Sequence, residues 1–422
     1  MRNDDRTSWL AAMMCGLLAL ANVASGNARQ PAGAPQDEQK NERAGPLVER
    51  DEAGRVRVKL VSGGGVAVDN RSTGRITVIG WDKDYVEAVA TSERGQEYVR
   101  SHVRTDSSGA VRIWLKADYA SLGDVARLKE KESEKQTSQQ PQTPNATATP
   151  SPGAQPTPSA TPAKIHNSPD LLSLFSRMTL KENDPPLSSD DQPVRIHIEV
   201  HVPRYAELEP IRVWRSPVEI KGIEKGVAIQ GNRSNIVLDN VGAADVRNGS
   251  GLVEISNTGG LVSVMTASGP IRISNASGDV RALSISGTIE IKCARGHVAV
   301  SNTEGPITLV GLSGNVVDAN STNSNVYFTG PIRDDGLYLL KSMAGNVEMR
   351  TTPGEGFTAT LSSYRGGIET DYTLKTNQAQ HSPTPNRIIG RFGNGRAQIT
   401  LDSFDGAVKL KKAGPDEITD CK

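Results

Sequence analysis

Three sets of residues in this chain have types and spacings that invite chemistry. His197, Glu199 and His201 alternate with Ile196, Ile198 and Val200, so all three belong to one face of a strand. Two imidazoles and a carboxylate are zinc-ligand types, but along an extended strand His197 and His201 stand about 13 Å apart, too far to share an ion. A solvated strand face is expected instead. Ser277, Asp279 and His297 are the residue types of a hydrolytic triad, and they fall near one another if coils of eighteen residues stack. A triad also needs a pocket and oxyanion donors, which a row of turns does not supply, so these three are read as polar turn residues. The third set is the asparagine, serine and threonine of a nine-residue repeat. Nonapeptide repeats also build calcium-binding β-rolls, but those use paired glycines and a fixed aspartate, and neutral oxygens alone hold calcium weakly. No catalytic, cofactor or metal residue is assigned.

The element that carries these residues is unmistakable in the spacing. Gly242, Gly251, Gly260, Gly269, Gly278, Gly287, Gly296, Gly305 and Gly314 recur every nine residues, with Asn323 next in phase. Aliphatic residues follow at plus two and plus four, as in Val253 and Ile255, or Ile271 and Ile273. Each unit therefore reads as a short strand closed by a turn whose glycine accepts positive φ. The plus-four residue alternates between Val246, Val264, Ala282, Val300 and the bulkier Ile255, Ile273, Ile291, Leu309, so the chemistry repeats every eighteen residues. An antiparallel meander has no reason to keep that register. The expectation is an all-β, single-stranded parallel β-helix or solenoid with coils of about 18 residues, two strand-turn units per coil, interrupted by a disordered insertion. Asn257, Asn275 and Cys293, and in a second series Asn248, Thr266, Ser284, Asn302 and Asn320, take the inward parity at plus six, where stacked polar groups satisfy turn backbone. Outward, Glu254, Arg272 and Glu290 should stack with alternating charge.

Composition bounds the function. Lys and Arg number 48, as do Asp and Glu, and aromatics make up 4% of 422 residues, so there is no electrostatic footprint for nucleic acid and only a thin aliphatic core. Residues 1–28 read as an export signal, with Arg2 and Arg6 before an apolar run too short to span a bilayer, and no transmembrane segment is expected after its removal. Residues 29–47 form a polar lead, 48–119 the first strands and cap, 192–412 the repeats and C-terminal cap, and 413–422 a tail. Between them, residues 120–191 include a Gln/Thr/Pro/Ser tract, 136–162, that cannot bury apolar area. Within residues 120–191 a short helix near 169–179 would carry Leu171, Leu174, Phe175 and Met178 on one stripe, either as a local plug or as a partner-docking segment. The strands around Leu115 and Val194 must be spatial neighbours for a solenoid to tolerate this interruption. Cys293 reads as a small core side chain, and its pairing with Cys421 stays open.

Four stretches in order, "VAVDNRSTGRITVIGWDKDYVEAVAT", "VRIHIEVHVPRYAELE", "SPVEIKGIEKGVAIQGNRSNIVLDNV" and "ASGPIRISNASGDVRALSISGTIEIK", resemble the bacterial putative-adhesin domain family, a family of unknown function related to auto-transporter adhesin head domains. The resemblance covers about residues 54–116 and 192–412. It implies a β-helix on an exported protein of the periplasm or outer cell surface, without established catalytic residues. The expectation is a non-enzymatic, adhesin-like or scaffolding module with a protein or envelope-surface partner and no cofactor; the alternatives are a carbohydrate-active or other hydrolytic β-helix enzyme and a calcium-binding β-roll.

Overall fold

The computed structural model describes residues 48–50, 55–70, 73–92, 99–105, 111–117, 195–376, 386–417 and 421. Leu171, Leu174, Phe175 and Met178, the signal segment and the Gln/Thr/Pro/Ser tract lie outside the described residues. All described residues belong to one unit, Gly45–Lys422.

Strands β1 (Val48–Arg50), β2 (Val56–Lys59), β3 (Gly65–Asn70), β4 (Ile76–Trp81), β5 (Tyr85–Ser92), β6 (Val99–Thr105) and β7 (Val111–Ala117) precede the insertion. After it come β8 (Ile196–Pro203), β9 (Glu207–Leu208), β10 (Ile211–Val213), β11 (Val218–Arg233) and β12 (Ile236–Ser250), the last two running through a corner unbroken. The regular coils hold β13 (Val253–Thr258), β14 (Val262–Ser268), β15 (Ile271–Ala276), β16 (Val280–Ser286), β17 (Ile289–Lys292), β18 (Val298–Glu304) and β19 (Ile307–Val310). Longer coils hold β20 (Val316–Ser321), β21 (Val326–Pro331), β22 (Leu337–Ser342), β23 (Val347–Thr352), β24 (Gly356–Ser363), β25 (Ile368–Thr370), β26 (Arg387–Gly393), β27 (Ala397–Ser403) and β28 (Val408–Lys412).

The eighteen-residue chemistry is the eighteen-residue register. Val253 pairs in parallel with Ile271, Ile271 with Ile289, Val262 with Val280 and Val280 with Val298. Successive coils thus stack about 4.8 Å apart with like residues over like. The odd strands from β13 to β23 make one face and the even strands from β14 to β22 the other, and the plus-two and plus-four aliphatics of both are buried between them. From β18 the spacing lengthens, Val298 pairing with Val317 and Val316 with Leu337. That single extra residue turns Asn320, expected inward, outward and puts Ser321 in its place.

Both ends depart from simple stacking. β4 lies between β8 and β11, and β3 between β7 and β10, so the segments on either side of the insertion interleave. β7 and β8 are not ladder partners. They are successive faces of one coil, matching β3 and β4 of the next, and Asn70 Nδ2 donates to the carbonyls of Gly74 (3.4 Å) and Ile196 (3.0 Å) where the chain returns from the insertion. At the other end β27 and β28 insert between β22/β23 and β24/β25. Antiparallel strands close the edges: β5, β2 and β1 outside β8, β6 outside β7, and β26 outside β24. Phe357, Tyr372 and Phe392 fill the last coil with centroids 5.1–5.5 Å apart, and burial pushes the Tyr372 hydroxyl up to about 12 while it donates to Thr351 O at 2.7 Å. Aromatic bulk at the end shields an aliphatic core that would otherwise meet water.

Candidate functional site

The two corners of the coil differ. At one, Gly222, Asn240, Asn257, Asn275, Cys293 and Gly311 stack in the left-handed region, φ 54–72°. This conformation reverses parity, so Asn257 and Asn275 face outward, correcting the inward expectation, and Thr258, Ala276 and Ala294 are buried in their stead. The amides form an outer ladder: Asn275 Nδ2 donates to Asn257 Oδ1 (3.1 Å), and Asn257 Nδ2 and Ser256 Oγ both donate to Asp239 Oδ1 (2.7 Å). The Ser256 hydroxyl, then the Asn257 amide, hold the Asp239 carboxyl below its usual value. Cys293 interrupts a column otherwise made of Asn and Gly, the types that tolerate positive φ. It is not a core side chain but the anchor of a disulfide to Cys421, Cα to Cα 5.2 Å, which ties the tail across the coils, with Cys421 Sγ 3.2 Å from Gly311 O.

The repeat glycines divide between the two corners. Gly251, Gly269, Gly287 and Gly305, at the opposite corner, have φ of 104–124°, whereas Gly242, Gly260, Gly278, Gly296 and Gly314, beside the asparagine column, do not adopt positive φ, and Gly242 lies inside β12. Positive φ therefore explains only four of the nine. The rest are glycine because a Cβ would overlap the backbone of the coil beneath, as Gly278 would overlap Gly260. Inward at the positive-φ corner, Asn248 Nδ2 donates to Ser234 O and Ser250 O (both 2.7 Å) and Asn302 Nδ2 to Gly287 O (2.7 Å) and Gly305 O (2.8 Å), so buried polar groups satisfy turn carbonyls.

Further along that corner, serine takes over from asparagine. Ser342 and Ser403 accept the amides of Gly345 (2.8 Å) and Gly406 (2.9 Å) three residues on, and each donates to a carbonyl of the coil before: Ser342 to Ser324 (2.8 Å), Ser403 to Gly345 (2.7 Å), then Ser363 to Gly406 (2.9 Å). With the serine fixed inward, the next residue must turn out. Met343, Phe404 and Tyr364 consequently stack on three adjacent coils and are 60%, 42% and 52% exposed. Tyr364 and Phe404 lie ring on ring at 4.6 Å, with Arg365 held 5.3 Å over Phe404 and paired with Asp405 at 2.9 Å. Among the described residues, five of the seven exposed large apolar side chains (these three, Leu337 and Ile389) belong to the C-terminal strands β22 to β28 or their corners.

Of the other candidates, only Glu199 and His201 come together, with Glu199 Oε1 3.7 Å from His201 Nε2. His197 and Glu199 are exposed, His197 Nδ1 accepts the Arg75 amide (3.2 Å), and His201 stacks on Trp81 at 4.9 Å. Asp279 Oδ1 accepts the backbone amide of His297 at 2.9 Å, a turn cap rather than an imidazole partner. Among the described residues no three His, Cys, Asp or Glu side chains are grouped to hold a metal ion, and no helix is long and apolar enough to cross a membrane. Arg272 Nε stands 3.9 Å from Glu290 in the charge column, an exposed pair worth at most about 1 kcal/mol.

The family model Toastrack DUF4097 matches residues 198–411, half of the chain, over the stacked coils and their C-terminal end. The chain belongs to the Toastrack DUF4097 family. A crystal structure of a "putative cell adhesion protein" from Clostridium sporogenes aligns with 85% of this chain and 99% of that one, at 6% identity and a TM-score of 0.20, a likeness too remote to carry function across. No curated protein matches.

Within this Toastrack chain the apolar corner escaped the reading of spacing, although its signal is present. Ser-Met-Ala-Gly at 342–345, Ser-Tyr-Arg-Gly at 363–366 and Ser-Phe-Asp-Gly at 403–406 repeat one motif, Ser-x-x-Gly, with the large residue always second. Unequal spacing, caused by the inserted last coil, hides it from a nine-residue count.

Proposed function

We propose that this Toastrack chain is an exported, non-enzymatic module of the cell envelope, adhesin-like or scaffolding, that binds a protein or envelope-surface partner through its C-terminal coils. The observation that carries this reading is the Met343–Phe404–Tyr364 stripe, since three stacked, half-exposed apolar residues beside an arginine have the composition of a binding hot spot. The disulfide supports export, because such bonds persist in oxidising compartments. The test is co-sedimentation of the purified chain with isolated envelopes. A Met343→Ser/Phe404→Ser/Tyr364→Ser variant with unchanged circular dichroism should bind about tenfold more weakly or worse. Undiminished sedimentation of that variant would remove the stripe from the binding surface.

A further inference from the structure

β26 is an edge. It pairs with β24 alone among the strands, Ile389 opposite Thr360 and Arg387 opposite Ser362. Among the described residues its outer side is met only at Arg391, whose amide donates to Lys375 O (3.0 Å) and whose carbonyl accepts from Lys375 N (2.8 Å). Because backbone groups alternate along an antiparallel strand, the amides and carbonyls of Ile389 and Arg387 point the same outward way. Asn386, of the opposite parity, fits this alternation by giving its carbonyl to Ser363 on the β24 side (3.0 Å). No described strand meets those two amides and two carbonyls.

The side chains above this edge are equally specific. Arg387, Ile389 and Arg391 share the solvent face, Ile389 being 46% exposed, while Ile388 and Phe392 pack on the core. Among the described residues neither guanidinium has an ion pair, and Asp402, the carboxylate in the Arg387 column, is two strands away beyond Ser362. A second copy of β26 is a poor occupant, since antiparallel self-pairing about Ile389 would set Arg387 against Arg391.

We propose that the outer edge of β26 at Arg387–Ile389 receives an extended segment of a partner protein by strand addition, with acidic residues on both sides of an apolar one. The added backbone takes up the outward amides and carbonyls of Arg387 and Ile389, the apolar residue covers Ile389, one carboxylate meets Arg387, and the other, where the segment leaves the edge in front of Lys375, meets the Arg391 guanidinium from the solvent face. The site adjoins the apolar stripe, because Asn386 Nδ2 also donates to Gly366 O (2.8 Å) in the turn after Tyr364. This inference rests on the reading that the C-terminal coils meet a protein.

The probe is a labelled peptide, Ser-Asp-Thr-Val-Thr-Glu-Ser, titrated into the purified chain by fluorescence anisotropy. Saturable binding that weakens with salt is expected, with a loss of about tenfold or more in Arg387→Glu/Arg391→Glu. Ile389→Pro, which removes an outward amide and the exposed isoleucine side chain but no hydrogen bond to β24, should also lose binding, and the charge-reversed pair decides the matter if that variant misfolds. The Met343→Ser/Phe404→Ser/Tyr364→Ser variant should still bind the peptide, so loss of envelope sedimentation and loss of peptide binding report on separate claims. Equal binding of a peptide with lysine in both acidic positions, no binding at millimolar peptide, or peptide binding untouched by Arg387→Glu/Arg391→Glu would overturn the assignment, as would self-association that consumes the edge.

Discussion

Gly287 and Gly259 separate two uses of glycine. Gly287 has φ of 124°, and a Cβ there would overlap Gly269 O; at Gly259 the nearest atom to a Cβ is Gly242 O at an ordinary 3.7 Å. Gly287→Ala should therefore cost about 2–5 kcal/mol, combining left-handed strain with overlap on the coil beneath. Gly259→Ala should change stability by no more than about 0.5 kcal/mol. Denaturant unfolding of the two variants checks this, and equal losses would remove the stacking argument. The interval alone marked nine glycines as equivalent turns. What it could not show is that two corners of one coil place opposite demands on them, because φ is set by how each corner stacks rather than by spacing. Asn257 and Asn275 were misplaced for a related reason: one left-handed residue inverts the alternation on which inward and outward assignments depend.

The elements at the C-terminal end are joined out of order, and their contacts say so. The serine ladder passes from Ser342 to Ser403 to Ser363, which is the order of coils in space and not in sequence. Parallel strands and an aliphatic core were legible from Val253, Ile255 and their equivalents; insertion of β27 and β28 was not, since pairing over that distance leaves no periodic trace. The tail is likewise a tertiary feature. Cys293 and Cys421 are 128 residues apart, and closing so long a loop restricts the unfolded chain, so reduction should lower stability by about 2–4 kcal/mol. Thermal melting with and without reductant tests this, using Cys421→Ser as a reductant-insensitive control. Because asparagine tolerates the left-handed slot, Cys293→Asn should be less destabilised than Cys293→Ser. Identical melts with and without reductant in the parent chain would show that the tail clamp holds nothing.

At the scale of the molecule, the stacked coils form one ladder whose first segment is woven into its second. β3 and β4 each have a post-insertion strand on one or both sides, so residues 48–117 should not stand apart from residues 195–417. The balanced charge and thin core were readable from composition; the proposed binding surface was not. The place of the proposed surface needed the three-dimensional order of the last coils. The interleaving is decisive, because only a single body holds both ends in register. An engineered protease site within residues 136–162 allows the chain to be cut after folding. The cut pieces are predicted to elute as one species on a sizing column and to part only in denaturant. Separation of the two pieces under native conditions would contradict a single interleaved solenoid.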